Sequence, residues 1–363
     1  MGQKIRAAVL LNKSEIVIRE FDKPDISQDD GLLKVEMVGI CGTDPGLYSG
    51  KVKYANFPII LGHEILGRIA AIGDKASKRW KVKEGDRVIV EACIRCGYCS
   101  KCITGDYRFC ESGLAYGTFI SASVPPHLWG AYAEYMYLAP GSMVHKISEK
   151  APAKAGVLVN AVLSNAVRWG RMTGDFFLGD AVLIQGVGSQ GLALTIVAKE
   201  SGCSPIIVTG LTRDSDRFVL AKELGADYTI NVEKEEVVKR VREITNGNMA
   251  DVVVDVAGSP NATLTSIDLV KTQGTIVLPT VVGSEVPTPL ITDKIVHRDI
   301  RIAGQFTSDA RTMGKAIKIV ESGKYPIEKI VSHTFTLDEA EKGVQTAGGY
   351  FKDIYPTKCV ITP

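Results

Sequence analysis

Four cysteines, Cys96, Cys99, Cys102 and Cys110, fall within 15 residues at gaps of two, two and seven. Thiolates this close together suit a single tetrahedral zinc ion closed to water. The segment that carries them is too poor in apolar residues to fold alone, so metal binding has to supply its folding energy. Disulfides would call for an oxidising compartment, and the N-terminus shows no charged-then-apolar leader that points to one. An iron–sulfur cluster is the nearer rival, since C-x2-C-x2-C opens the bacterial ferredoxin run. That run closes after three residues with Cys-Pro, whereas here the last gap is seven and Glu111 follows. The reading adopted is a structural zinc lobe over residues 93–112. Cys93 breaks the spacing and reads as a spectator thiol; Cys203 and Cys359, in apolar surroundings, read as core.

A chain of 363 residues is expected to divide into about two domains, each able to bury a core. Hydrophobic content of 45%, charged content of 23% and a net charge of +2 describe an ordinary globular composition. Near balance of charge argues against a dedicated nucleic-acid or membrane-surface binder. No apolar run approaches the ~18 residues of a membrane span. The expected location is cytoplasmic, with a small molecule as the substrate.

Up to about residue 150 the chain offers short β-branched runs between glycine-rich turns, among them Leu32–Ile40, Ile65–Gly73 and Asp86–Ala92. This is the pattern of an irregular β-rich domain that carries the cysteine lobe as an excursion. From about residue 160 strands and helices alternate: strand Ala181–Gln185, a helix to about Ser201, strand Ser204–Gly210, a helix from Asp214 to Leu224, and so on to strand Gly274–Pro279. Such alternation demands a doubly wound parallel sheet covered on both faces. Thr336-Leu-Asp-Glu339 opens a late helix with a capping box, and Lys358–Thr362 is strand-like. The expected organisation is α/β: residues 1–160 and 303–363 as a β-rich domain, with 161–302 inserted as a dinucleotide-binding domain.

Gly186-Val-Gly-Ser-Gln-Gly191 stands between an expected strand and an expected helix. Gly186 would make the tight turn, Gly188 would let backbone approach a pyrophosphate, and Gly191 would let helix and strand pack closely. Ser189 and Gln190 open the helix whose N-terminal N–H groups face the phosphates. An NAD site wants a carboxylate at the end of the next strand, and Gly210 stands there instead. Thr212 and Arg213 could receive the 2′-phosphate of NADP, while Asp214 could still reach the ribose of NAD.

Together these segments resemble the zinc-dependent alcohol dehydrogenases of the medium-chain dehydrogenase/reductase superfamily. The resemblance runs the full length and rests on Gly39-Ile-Cys-Gly-Thr-Asp44, Gly62-His-Glu64, Gly85-Asp-Arg-Val88, the cysteine lobe, Trp129-Gly-Ala-Tyr-Ala-Glu-Tyr135 and the glycine turn. It implies a GroES-like catalytic domain, a Rossmann-type domain, a cleft between them, and a homodimer or homotetramer. It further implies a second, catalytic zinc on Cys41 and His63, which would lower the pKa of an alcohol whose hydride leaves to NAD or NADP. Thr43 would relay the hydroxyl proton, Asp44 would fix the tautomer of His63, and Glu64 would be a neighbour or an exchangeable ligand of the metal.

Two departures matter. The third catalytic ligand of the family, a cysteine or glutamate, falls at Asn160 or Ala161, depending on alignment by one residue; alanine cannot ligate and an asparagine carbonyl is a poor partner for zinc. Gly46 stands where several relatives place a proton-relaying histidine. Two active sites are therefore open: one in which Glu64 or water completes the zinc shell, and a zinc-free one that reduces an activated double bond with Thr43 or a tyrosine as proton donor. An NADP-binding protein without catalysis is a further alternative. Ala92 and the aromatics Tyr48, Tyr54, Phe57, Tyr116, Phe119 and Trp129 suggest a roomy pocket for a bulky or cyclic secondary alcohol.

Overall fold

A computed structural model of the chain describes residues 3–52, 55–281 and 286–363. The chain begins with β1 (Lys4–Asn12), β2 (Glu15–Asp22), β3 (Gly31–Gly39), α1 (Thr43–Tyr48), β4 (Ile59–Ile60), β5 (Glu64–Ile72), α2 (Asp74–Trp80) and β6 (Arg87–Val90). The cysteine lobe follows with its short α3 (Ser100–Ile103), then β7 (Tyr135–Leu138), β8 (Val144–Lys146) and α4 (Ala153–Gly156). A helical passage through α5 (Ser164–Val167) leads to β9 (Val182–Gln185), α6 (Ser189–Glu200), β10 (Ile206–Gly210), α7 (Ser215–Glu223), β11 (Tyr228–Asn231) and α8 (Val237–Ile244). Next come β12 (Ala250–Asp255), α9 (Pro260–Leu269), β13 (Val270–Leu278), α10 (Thr292–Val296) and β14 (Arg301–Gly304). The chain closes with α11 (Ala310–Glu321), β15 (His333–Thr336), α12 (Ala340–Ala347) and β16 (Cys359–Thr362).

These elements pack as two compact units. The first comprises Met1–Asn160, Asp309–Gly323 and Val331–Pro363; the second comprises Ala161–Ser308 and Lys324–Ile330. The return to the first unit thus falls after Ser308 rather than after residue 302. The reason is β14, which pairs in parallel with β13 and keeps the chain in the second sheet.

Among the described residues the first unit has a seven-stranded sheet in the order β15-β16-β3-β5-β6-β8, with β7 also on β3. β3 is central and nearly all buried, which its run of Leu, Val and Met allows because both faces are covered. The C-terminal β16 pairs antiparallel with β3, Val360 opposite Gly39, and so carries Lys358 to the start of β5. The second unit is a six-stranded parallel sheet, β11-β10-β9-β12-β13-β14. Its β9 and β10 are buried at every position, and α6 buries eight consecutive residues from Gly191 to Ala198, as a helix enclosed on all sides must.

α11 lies where no element is expected, and it is capped both locally, by the reciprocal box of Asp309 and Thr312, and from outside. Asp309 accepts from Arg311 N at 3.0 Å, the Arg108 guanidinium holds Asp309 at 3.1 Å, and the Tyr107 hydroxyl accepts from Ala310 N at 2.5 Å. Tyr107 and Arg108 lie between Cys102 and Cys110, so the cysteine lobe provides part of that helix's N-terminal cap.

Candidate active site and metal centres

The four lobe cysteines converge. Their sulfurs all lie within 4.8 Å of one another, with Cys96 Sγ to Cys102 Sγ at 3.8 Å and Cys99 Sγ to Cys110 Sγ at 4.0 Å. A tetrahedron of thiolates at ~2.3 Å from zinc has edges of about 3.8 Å, so the sulfurs already stand at zinc spacing. Backbone N–H groups of Cys96 and Cys99 donate to Cys110 and Cys96 sulfurs, each at 3.3 Å. Burial raises the Cys110 thiol, but hydrogen bonds from Ser112 and Cys96 overcome this and bring it down to about 6. Cys93 is different: its sulfur donates to Tyr107 O at 3.2 Å and burial pushes it up to about 12, fitting a spectator. Cys203 and Cys359 are buried.

A second cluster is assembled from β3, α1, β5 and β16. Cys41 follows β3, and Thr43 and Asp44 open α1, with the Thr43 hydroxyl 3.8 Å from Cys41 Sγ. Gly39 has to be glycine, because a Cβ there would stand 2.0 Å from a Glu64 carboxylate oxygen. Asp44 is wholly buried and accepts from Cys41 N at 2.9 Å and from the Tyr132 hydroxyl at 3.0 Å. Its other oxygen faces His63 Nδ1 at 3.6 Å, and neither of those two atoms has a hydrogen-bond partner. Burial lowers the pKa of His63, but the Cys41 and Asp44 charges and a hydrogen bond to the Cys41 sulfur raise it to about 10. A metal ion binding there would displace that proton.

Sequence reasoning missed Lys358. Its ammonium lies 2.7 and 2.6 Å from the two oxygens of Glu64, with both side chains buried. Burial works against the charged ammonium, and Glu64, Cys41 and Asp44 more than restore it. The signal was faint: one lysine in an otherwise apolar strand, 294 residues from its partner. Asn160 is also engaged. Its Nδ2 donates to His63 O at 2.9 Å and to Val90 O at 3.0 Å, leaving Oδ1 as its one free donor to a metal. Ala161 follows with φ of 60°, a left-handed conformation that costs a non-glycine residue on the order of 1 kcal/mol, inside a π-helical turn over Val159–Leu163. Among the described residues, only the lobe gathers three or more cysteine, histidine or carboxylate ligands.

In the second unit the glycine turn is built as its spacing requires. A Cβ on Gly191 would lie 1.9 Å from Gly186 O, so only glycine lets α6 meet β9 there. A Cβ on Gly188 would meet nothing within 4 Å, which leaves backbone open to a pyrophosphate before Ser189 and Gln190 start the helix. At the end of β10 the outcome is mixed. Gly210 is required by packing, since a Cβ would come within 2.7 Å of Val187 and 3.0 Å of Phe218. Asp214 turns inward, accepting from Leu211 N at 2.9 Å and Arg217 at 2.5 Å, and is not offered to a ribose. Thr212 N donates to Glu233 at 2.7 Å, and Arg213 is exposed beside it.

The expected aromatic wall is smaller than its residue count. Tyr48 is buried and bonds Glu341 and Gln345 on α12, and Tyr116 is buried against Ser142; both are core. Tyr54 lies outside the described residues. Phe57, Phe119 and Trp129 are partly buried.

A GroES-like domain with a thiolate–imidazole–carboxylate cluster, a tetrathiolate lobe and a dinucleotide-type glycine turn define a class: zinc-binding, nicotinamide-dependent dehydrogenases. Comparison bears on the same point. Residues 27–149 match the model of the alcohol dehydrogenase GroES-like domain, and residues 190–322 that of the zinc-binding dehydrogenase. A Mycobacterium tuberculosis protein named as a probable alcohol dehydrogenase is 39% identical over 369 residues, covering 100% of this chain and 99% of that one. An alcohol dehydrogenase of Thermotoga maritima superposes with a TM-score of 0.91 at 27% identity, over 100% of both chains. The NADP-bound structure of a zinc-binding dehydrogenase from Sinorhizobium meliloti 1021 does so with 0.88 at 26%, over 99% and 100%. The chain belongs to the zinc-dependent alcohol dehydrogenases of the medium-chain dehydrogenase/reductase superfamily. It is an NAD(P)-dependent oxidoreductase that interconverts alcohols with their carbonyl compounds and uses zinc.

Proposed function

We propose that the reaction is run by Cys41, His63 and Thr43, with Asp44 and Tyr132 behind them, on a nucleotide held by the glycine turn. The observation that carries this is the buried Asp44: anchored by Cys41 N and Tyr132, it stands 3.6 Å from His63 Nδ1. Imidazole backed by a carboxylate is the arrangement that holds a metal-binding histidine in one tautomer. Cys41 and His63 would hold zinc, which when bound would supply Lewis acidity to the substrate oxygen. Thr43 takes the hydroxyl proton as the alcohol is oxidised. Glu64, neutralised by Lys358, acts as a buried counterion rather than as a ligand. Replacing Cys41 by Ser tests this directly: turnover of alcohols should collapse, and unchanged turnover would take the metal out of the mechanism.

The β-rich unit is then the catalytic domain and the parallel-sheet unit the dinucleotide-binding domain. Gly186, Gly188, Ser189, Gln190 and Gly191 cradle the pyrophosphate, and Thr212 with exposed Arg213 take a 2′-phosphate, which favours NADP. The substrate is a bulky or cyclic secondary alcohol, accommodated beside small Ala92 with Phe57, Phe119 and Trp129; equal activity on ethanol and cyclohexanol would discard that choice. Among the described residues β14 ends its sheet, and Phe306, two residues beyond it, is 62% exposed, a surface suited to a second copy in a homodimer or homotetramer. Eight free cysteines suit the reducing cytoplasm, with no nucleic-acid or membrane partner. Among the described residues no helix is long and apolar enough to cross a membrane.

A second reading has one specific observation behind it. Glu64 is committed to Lys358 and the Asn160 amide N–H groups to two carbonyls, which leaves zinc one thiolate, one imidazole and only the weak Asn160 Oδ1 beside them. That favours zinc-free reduction of an activated double bond, with Thr43 or a tyrosine as proton donor, and full turnover by the Cys41→Ser variant would select it.

A further inference from the structure

The peptide between Asn160 and Ala161 is where the first unit ends and the second begins, and it is held from both sides. On one side the Asn160 amide donates to the carbonyl of His63 at 2.9 Å and to that of Val90, the last residue of β6, at 3.0 Å. On the other side the Ala161 carbonyl accepts from Gln190 Nε2 and from Asn165 Nδ2, each at 2.7 Å. Gln190 is the fifth residue of the glycine turn and lies in the first turn of α6. Both donors on one carbonyl fix their amide orientations, since turning either over would set oxygen against oxygen. Ala161 keeps a left-handed backbone in a π-helical turn, a conformation that survives only where surrounding bonds over-determine it.

We propose that Asn160 and Gln190 are positioning residues that act through this one turn, coupling nucleotide binding to the placement of His63. The inference rests on the reading that the glycine turn holds the nucleotide and that His63 belongs to the reaction centre. Nucleotide on the glycine turn settles α6 and Gln190, Gln190 settles the Ala161 carbonyl, and the adjoining Asn160 transmits that setting to the backbone of His63. In this account the asparagine at the place of the family's third ligand is a strap on the histidine rather than a ligand.

The test is hydrogen exchange on the purified enzyme, with NADPH or NADH at saturation and without, while zinc per chain is counted in the same sample. In the native enzyme nucleotide should slow exchange over residues 186–192 and also over 59–66, the latter by about fivefold or more, the low end of ordinary coupling between sites. Gln190→Met keeps the side-chain length and removes the amide. Asn160→Leu cuts the same connection at its other end without touching the nucleotide fold. In either variant that still shows protection at 186–192, protection at 59–66 should disappear. Retention of that protection in such a variant, or its absence in the native enzyme, overturns the proposal. A count of one zinc per chain would sink the second metal site and leave this comparison intact.

Discussion

The cysteine lobe and the Cys41–His63 cluster both gather metal-binding side chains, but they do so by opposite routes. The lobe draws four identical donors from one 15-residue stretch, and their sulfurs stand at zinc spacing. The cluster draws unlike groups from β3, α1, β5 and β16, and buries a lysine among them. A metal on the lobe would balance four converging thiolates and tie the 15-residue stretch together. In the cluster Lys358 already balances Glu64, and the strong donors that remain are Cys41 and His63. A centre that left positions open for substrate would be built this way: enough charge compensated by protein to stay folded, and too few ligands to close the shell.

That contrast can be broken in order of expected effect. Cys99→Ser should remove lobe zinc and take with it a substantial share of the roughly 10 kcal/mol that structural zinc brings to a small fold. Thermal unfolding reads the loss, and exchange at the Ala310 amide should rise too, since Tyr107 in the lobe is its acceptor. An unchanged melting temperature would mean the lobe is not held by metal. Lys358→Met leaves the Glu64 charge buried and unpaired, which should cost about 3–5 kcal/mol. The Lys358→Met, Glu64→Gln double variant should recover most of that; failure to recover would show that Lys358 serves Cys41 and Asp44 more than Glu64. Smallest is Arg213→Ala, which should lower kcat/KM for NADP+ by about tenfold, the worth of one charge-assisted contact, and leave NAD+ nearly unaffected. Equal losses with both nucleotides would assign Arg213 no part in the choice.

How far the sequence could be read follows the same contrast. Where ligands and elements are local, they were legible: the lobe spacing, the glycine turn between β9 and α6, the capping box of Thr336 and Glu339, and the buried runs of β9, β10 and β12. Where a residue's meaning comes from a distant partner, periodicity is silent. Lys358 looks like one polar position in a terminal strand, and only the β16–β3 register carries it to Glu64. Asn160 reads as a failed ligand until its amide is found on the carbonyls of His63 and Val90. Tyr48 and Tyr116 read as pocket aromatics until their hydroxyls are found inside the core. Asp214 reads as a ribose acceptor until it is seen to close its own turn on Leu211 and Arg217. α11 does open on a local signal, the Asp309 and Thr312 capping box, which is easily passed over because it lacks the usual glutamate or glutamine; Tyr107 and Arg108 from the lobe complete the cap.

The most direct test is zinc content per chain in freshly purified, chelator-free protein, native beside Cys41→Ser. Two equivalents in the native enzyme and one in the variant are expected, the remaining ion belonging to the lobe. One equivalent in both would contradict a metal on Cys41 and His63 and turn the chemistry of this site toward zinc-free reduction.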